Sequence, residues 1–156
     1  MAKLKVGFFS FTCCEGCSLI FIELLNKKFD EYMKKIEIKN MNSLKTTKKL
    51  EKLDVAFVEG AISSENEAPR LRQIRKNSRV LIALGSGACN GYPSNLRNTF
   101  NYEKKNKIQP LLKRFHQNES VEPIKHFVKV DAALNGCPVR AEDIDKMIRE
   151  RIKCMK

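Results

Sequence analysis

Apolar positions recur along this chain with two alternating periods. Residues 5–11 form an almost continuous apolar run, suited to a strand buried on both faces. Residues 18–36 then carry Ile22, Leu25, Phe29, Met33 and Ile36 at three- and four-residue steps, with Lys27, Lys28, Asp30, Glu31 and Lys34 between them. That spacing predicts an amphipathic helix. Residues 36–41 read as a short second strand, apolar runs at 54–58 and 79–84 predict a third and a fourth, and 124–130, entered through Pro123, a fifth. Between them, 46–53 reads as a polar helix and 64–76 as another helical pattern. A last helix covers 141–153, with Ile144, Met147, Ile148 and Ile152 on one face. Glu142 and Asp143 in its first turn, and Arg151 and Lys153 at its end, suit the helix dipole. Residues 101–122 are the most polar stretch and predict an irregular excursion on the surface.

Strand and helix patterns in alternation predict an α/β fold: a flavodoxin-like, doubly wound, mainly parallel sheet with helices on both faces. No repeat or linker divides the chain, and its 156 residues fit one domain, taken as 1–156.

Composition narrows the function classes. Apolar residues make up 42% of the chain, which argues against a disordered segment. No run approaches the roughly 20 apolar residues of a membrane span. The apolar start ends at cysteines rather than at a small-residue cleavage site, so it reads as a strand and not a signal peptide, and a cytoplasmic location is expected. The formal charge of +12 raises nucleic-acid binding as a possibility. The lysines are spread along the chain with few aromatics among them, so a solvated basic surface or a docking face for an acidic partner fits better, and no nucleic-acid partner is expected.

Six cysteines shift the picture towards metal or redox chemistry: Cys13, Cys14, Cys17, Cys89, Cys137 and Cys154. Cys14 and Cys17 follow the first predicted strand, Cys89 the fourth and Cys137 the fifth. In an open parallel sheet these loops leave one carboxyl edge, where ligand sites form at the switch in strand order. Four thiolates there suit a tetrahedral zinc or a four-iron cluster. The separate approach of Cys89 and Cys137, and the nearby Gly16, Gly87, Gly91 and Gly136, favour the cluster. Cys13 sits beside the site and Cys154 ends a helix, and neither is given a role. Glu59 also follows a strand, and two readings of it stand open: a carboxylate at the same edge that relays protons or contacts a partner, or a loop cap or surface acid. His116 and His126 have no identifiable partner in the sequence. The spacing of Gly85, Gly87 and Gly91 misses the dinucleotide fingerprint by one place.

Taken together, Cys14-Glu15-Gly16-Cys17, Val58-Glu59-Gly60-Ala61, the 85–91 loop with Cys89, and Gly136-Cys137-Pro138 resemble the small subunit of nickel–iron hydrogenases and the related cluster-binding subunit of NADH:quinone oxidoreductases. The run from Asn90 through Tyr92, Pro93, Ser94, Asn95, Leu96 and Arg97 to Asn98 is similar to the short small subunits of cytoplasmic hydrogenases. The resemblance implies one proximal [4Fe–4S] cluster held by Cys14, Cys17, Cys89 and Cys137, with Glu15, Gly16, Glu59, Gly87 and Gly136 around it. It also implies a large nickel–iron subunit and further electron-transfer subunits as partners, and no catalytic residue in this chain. The sequence departs from the pattern at three points. It ends soon after the helix following Cys137, without the C-terminal cluster region of longer small subunits. Val139 stands where the family often has a second proline. Cys13-Cys14 is a tandem pair, similar to the quinone-reductase branch in which adjacent cysteines are ligands.

The expected function is therefore electron relay. Two rivals use the same residues: a zinc-stabilised structural or nucleic-acid-binding protein, and a dithiol oxidoreductase working through Cys14 and Cys17 alone.

Overall fold

The computed structural model describes residues 3–41, 44 and 50–154. In chain order the elements are β1 (Leu4–Ser10), α1 (Gly16–Lys27), α2 (Phe29–Lys35), β2 (Ile36–Met41), β3 (Leu53–Glu59), β4 (Ile62–Ser64), α3 (Glu67–Lys76) and β5 (Ser78–Leu84). They continue as α4 (Gly85–Asn90), α5 (Tyr102–Arg114), β6 (Gln117–Glu122), β7 (Ala132–Leu134) and α6 (Ala141–Lys153).

β2, β1, β3, β5 and β7 lie side by side in that order, every pairing parallel. Counted within the sheet alone this is the flavodoxin-like order, second-first-third-fourth-fifth. The chain steps outward from β1 to β2, then crosses back to β3 on the other side of β1. The connections leaving the carboxyl ends of β1 and β3 therefore diverge, and a crevice opens between them. β4 and β6 form a separate antiparallel pair.

Period-two alternation sends successive strand residues to opposite faces. Val6, Phe8, Val55, Phe57, Ile82 and Leu84 meet Phe21, Leu24 and Leu25 of α1 and Ile144 and Ile148 of α6 on one face. Phe9, Ala56, Val58, Leu81 and Ala83 meet Leu71 and Ile74 of α3 and Ala88 of α4 on the other. At the centre of the first face the ring of Phe8 stacks between Phe21 and Phe57, with centroids 4.0 and 4.7 Å away. Helices on both faces and a parallel sheet agree with the reading of the sequence.

Several local expectations differ. The helix expected over 18–36 is two helices, α1 and α2, meeting at Lys28. The fifth sheet strand is β7 rather than 124–130, where Ile124–His126 forms a 3-10 turn. Ile124 is buried in the second core, so its apolar neighbourhood marks packing and not a strand. Residues 101–122 contain α5 and β6. α5 has no buried residue, so it lacks the dense core-facing stripe that reveals a helix in sequence. Of the polar helix expected over 46–53, residues 46–49 lie outside the described residues, 50–52 belong to no helix or strand, and Leu53 begins β3.

α6 is pinned to the first face by an ionic cluster as well as by apolar contact. Asp145 accepts hydrogen bonds from Lys28 at 2.6 Å, from the buried Tyr32 hydroxyl, and from Arg149 at 3.1 Å. Arg149 also donates to both carboxylate oxygens of Glu31, at 2.7 and 2.8 Å. Burial pushes the Asp145 carboxyl up, but the bonds from Lys28, Tyr32 and Arg149 outweigh it and hold the group at about 2. A carboxyl depressed in the folded chain stabilises it above the unfolded value and loses that contribution as pH falls. Stability from Asp145 is thus complete above about pH 4 and is lost as pH falls through about 2. Solvent around its partners limits the contribution to about 1 kcal/mol. Asp145→Ala also strands the Tyr32 hydroxyl, and urea denaturation at pH 7 should show about 2 kcal/mol of destabilisation. The difference between this variant and the parent should shrink as pH drops from 4 to 2.

Candidate metal centre

Four connections leave the carboxyl edge of the sheet beside the strand-order switch. Residues 11–15 follow β1, Gly60 and Ala61 follow β3, α4 starts directly from β5, and residues 135–140 follow β7. Backbone hydrogen bonds tie them together in pairs. Thr12 and Ala61 exchange N–H···O bonds at 3.1 and 3.0 Å, and the Ser86 amide donates to Gly136 at 2.8 Å. Between them lies a cavity of about 380 Å³ whose walls include Cys13, Cys14, Cys17 and Cys137.

Cys17 sits in the first turn of α1, reached through Glu15, whose φ of 59° reverses the chain. That turn is anchored from below by Glu59, only 4% exposed. The Glu59 carboxylate accepts from the Cys17 amide at 3.0 Å, the Ser18 amide at 3.1 Å and the Ser18 hydroxyl at 2.7 Å. It satisfies amides that no helix carbonyl can reach, and its charge suits the positive end of the helix dipole. Ser18 is the partner that sequence reading missed; only its place after Cys17 hinted at it.

Loss of hydration pushes the Cys17 thiol up to about 12; a hydrogen bond from the Val139 backbone opposes the shift, and the Glu59 charge adds to it. Cys13 is exposed as a residue, yet its thiol is partly enclosed. Loss of hydration pushes that thiol up to about 11, against a hydrogen bond from the Glu15 backbone. Both groups are protonated thiols at neutral pH, so a metal entering here must displace their protons.

One glycine is dictated by a sulfur. Gly85 has φ +83°, and a Cβ there would lie 2.7 Å from the Cys17 sulfur. A Cβ on Gly16 would lie 3.4 Å from the Cys14 sulfur and 3.9 Å from Pro138, which places Cys14 beside the loop of Cys137. Gly16, Glu59, Gly87 and Gly136 all line the cavity, whereas Glu15 shapes the turn without lining it.

Cys89 is not brought to this cavity. It lies on α4 with its sulfur 3.9 Å from the Ala83 carbonyl, packs against the second core, and lines a different cavity with Lys125 and Val128. Helical phase explains the separation. Gly87 faces the thiol-lined cavity, and a residue two positions later is turned by about 200°. Cys13, which the sequence left without a role, lines the cavity instead. The signal for it was its adjacency to Cys14. Cys154 is exposed at the end of α6, His116 is exposed, and His126 is paired with Glu122 at 2.8 Å. Among the described residues no three ligating side chains meet as a ready-made metal site. The shared feature is a cavity wall carrying several thiols, a donor set suited to zinc or to an iron–sulfur group.

A flavodoxin-like sheet with a cysteine-lined crevice at its strand switch defines the class. The chain matches, over residues 14–150, the family described as the NADH ubiquinone oxidoreductase 20 Kd subunit, and it belongs to that family. It is 31% identical over 149 residues to the sulfhydrogenase 2 subunit delta of Pyrococcus furiosus, covering 93% of this chain and 60% of the relative. It is 29% identical over 145 residues to the gamma subunit of the coenzyme F420 hydrogenase of Methanosarcina barkeri, covering 90% and 51%. It is 28% identical to the NAD-reducing hydrogenase HoxS subunit delta of Cupriavidus necator, covering 96% and 79%. The chain thus spans between half and two thirds of the first two of these relatives. The fold superposes on a chain from the crystal structure of an NAD+-reducing [NiFe]-hydrogenase in the H2-reduced state with a TM-score of 0.84, at 24% identity, covering 97% of this chain and 92% of that one. No helix among the described residues is long and apolar enough to cross a membrane.

Removing the anchor should loosen the centre. Glu59→Ala leaves two buried amides and the Ser18 hydroxyl without their acceptor, and thermal unfolding should show a loss of about 2–3 kcal/mol. Unchanged stability would mean that α1 is positioned by its apolar face alone.

Proposed function

We propose that this chain is the electron-relaying subunit of a nickel–iron hydrogenase-like complex in the cytoplasm, carrying one [4Fe–4S] cluster in the cavity at the strand switch. The observation that carries this reading is the convergence of thiols from two connections far apart in sequence, Cys14 and Cys17 after β1 and Cys137 after β7, on one cavity. Loops at this edge of a flavodoxin-like sheet hold redox cofactors in other proteins, and thiolates are the usual iron–sulfur ligands. The residues fit such a group: Gly85, with no Cβ, leaves room for the Cys17 sulfur, and four thiols line one cavity. A cluster held here would store and release one electron. The names of the hydrogenase relatives support a large catalytic subunit, and further electron-transfer subunits, as partners. Exposed Tyr92 at the cavity and Leu19 on α1 supply apolar surface for such a subunit to cover.

Protein purified without oxygen, or reconstituted with ferrous iron and sulfide, should be brown. It should contain about four irons and four acid-labile sulfides per chain, and its visible absorption should bleach with dithionite. Colourless protein with one zinc per chain, unchanged by reconstitution, would overturn the relay in favour of structural zinc. Glu59→Gln removes a buried negative charge beside the Cys17 turn. The reduction potential of the loaded protein should then rise by on the order of tens of millivolts, measured by redox titration.

A further inference from the structure

We propose that Cys13, and not Cys89, supplies the fourth thiolate, so that the cluster is held by Cys13, Cys14, Cys17 and Cys137. The proposal rests on the cluster reading above and assigns its ligands. Cys13 lines the same cavity as the other three thiols, and Cys89 lines another.

The phase of α4 makes this separation hard to undo. The helix is tied to the neighbouring connection at its start, where the Ser86 amide donates to Gly136 at 2.8 Å. Ala88, two residues on, is fully buried. Rotating α4 by about half a turn to aim Cys89 at the crevice would expose Ala88 and break the bond to the Cys137 loop. On the crevice side α4 offers Gly87, which has no side chain to give. A Cβ on Gly87 would lie 3.1 Å from the Gly60 Cα, and a Cβ on Gly60 would lie 3.0 Å from the Cys13 Cβ. Cys13, Gly60 and Gly87 are therefore consecutive patches of one wall, and Cys13 is the sulfur-bearing one. A fourth donor is thus present on the wall that α4 leaves bare. Coordination is ligand exchange: each of the four thiols binds an iron through sulfur and releases its proton to solvent, with no change of oxidation state.

The test uses the full chain reconstituted anaerobically with ferrous iron and sulfide, as wild type, Cys13→Ala and Cys89→Ala. Iron and sulfide content and the electron paramagnetic resonance spectrum are read for each, and far-ultraviolet circular dichroism checks the fold. Cys89→Ala should keep the iron content and spectrum of the wild type. Cys13→Ala should lose at least half its iron, or yield a three-iron signal in the oxidised state. A readout independent of any variant is alkylation followed by mass spectrometry on wild type before and after loading. Loading should protect Cys13 together with Cys14, Cys17 and Cys137, and leave the modification of Cys89 unchanged. A loaded wild type in which Cys13→Ala binds iron normally, or in which loading protects Cys89, sinks the ligand assignment alone. A wild type that takes up no cluster sinks the relay reading and the assignment with it.

Discussion

The carboxylate of Glu59 fixes where α1 begins, and the cavity depends on that start. Glu59 ends β3, the strand on one side of the switch, while α1 follows β1 on the other. Its three hydrogen bonds to Cys17 and Ser18 therefore clamp the two diverging connections together at the mouth of the crevice. Buried carboxylates are tolerated only when hydrogen-bonded, and a helix start with free amides is one of the few partners that can satisfy one. The same arrangement sets a negative charge beneath a sulfur donor. Loss of hydration raises the Cys17 thiol and this charge adds to the shift; the same charge would oppose added electrons in a cluster held there.

Close packing by glycine is the second constraint. At Gly85 a positive φ and a sulfur 2.7 Å from the missing Cβ coincide, so backbone conformation and side-chain space demand the same residue. At Gly60 and Gly87 two backbones approach each other directly. The cavity is thus shaped by what the glycines leave out, while the apolar stack of Phe8, Phe21 and Phe57 beneath it keeps β1, β3 and α1 from shifting.

Much of this was legible in the sequence because it depends on periodicity. The strands Leu4–Ser10, Leu53–Glu59 and Ser78–Leu84 hold dense apolar runs, Ile36–Met41 alternates apolar with polar residues through Ile36, Glu37, Ile38 and Lys39, and α6 carries both an apolar face and charges suited to its dipole. α5 was not legible, because a helix with no buried residue need not repeat an apolar stripe. β7 was missed for a different reason. Its three residues, Ala132–Leu134, pair with β5 on the sheet edge and are only partly buried, while the stronger apolar signal nearby belongs to Ile124, which packs without joining the sheet.

The cysteines show where such reading stops. Sequence order and strand topology place a residue in a connection, and by that test Cys89 and Cys137 stand on equal terms. They do not place it on a face. The connection after β7 contains no helix, and it bends at Cys137 and Pro138 with Cys137 on the wall of the crevice. The one after β5 is helical from its first residue, so orientation there is a matter of phase, and two positions decide between the crevice and the core. Conversely, the loop after β1 bends at Cys13 and turns at Glu15, so Cys13 and Cys14 escape the strict alternation of a strand and both lie against one concave wall.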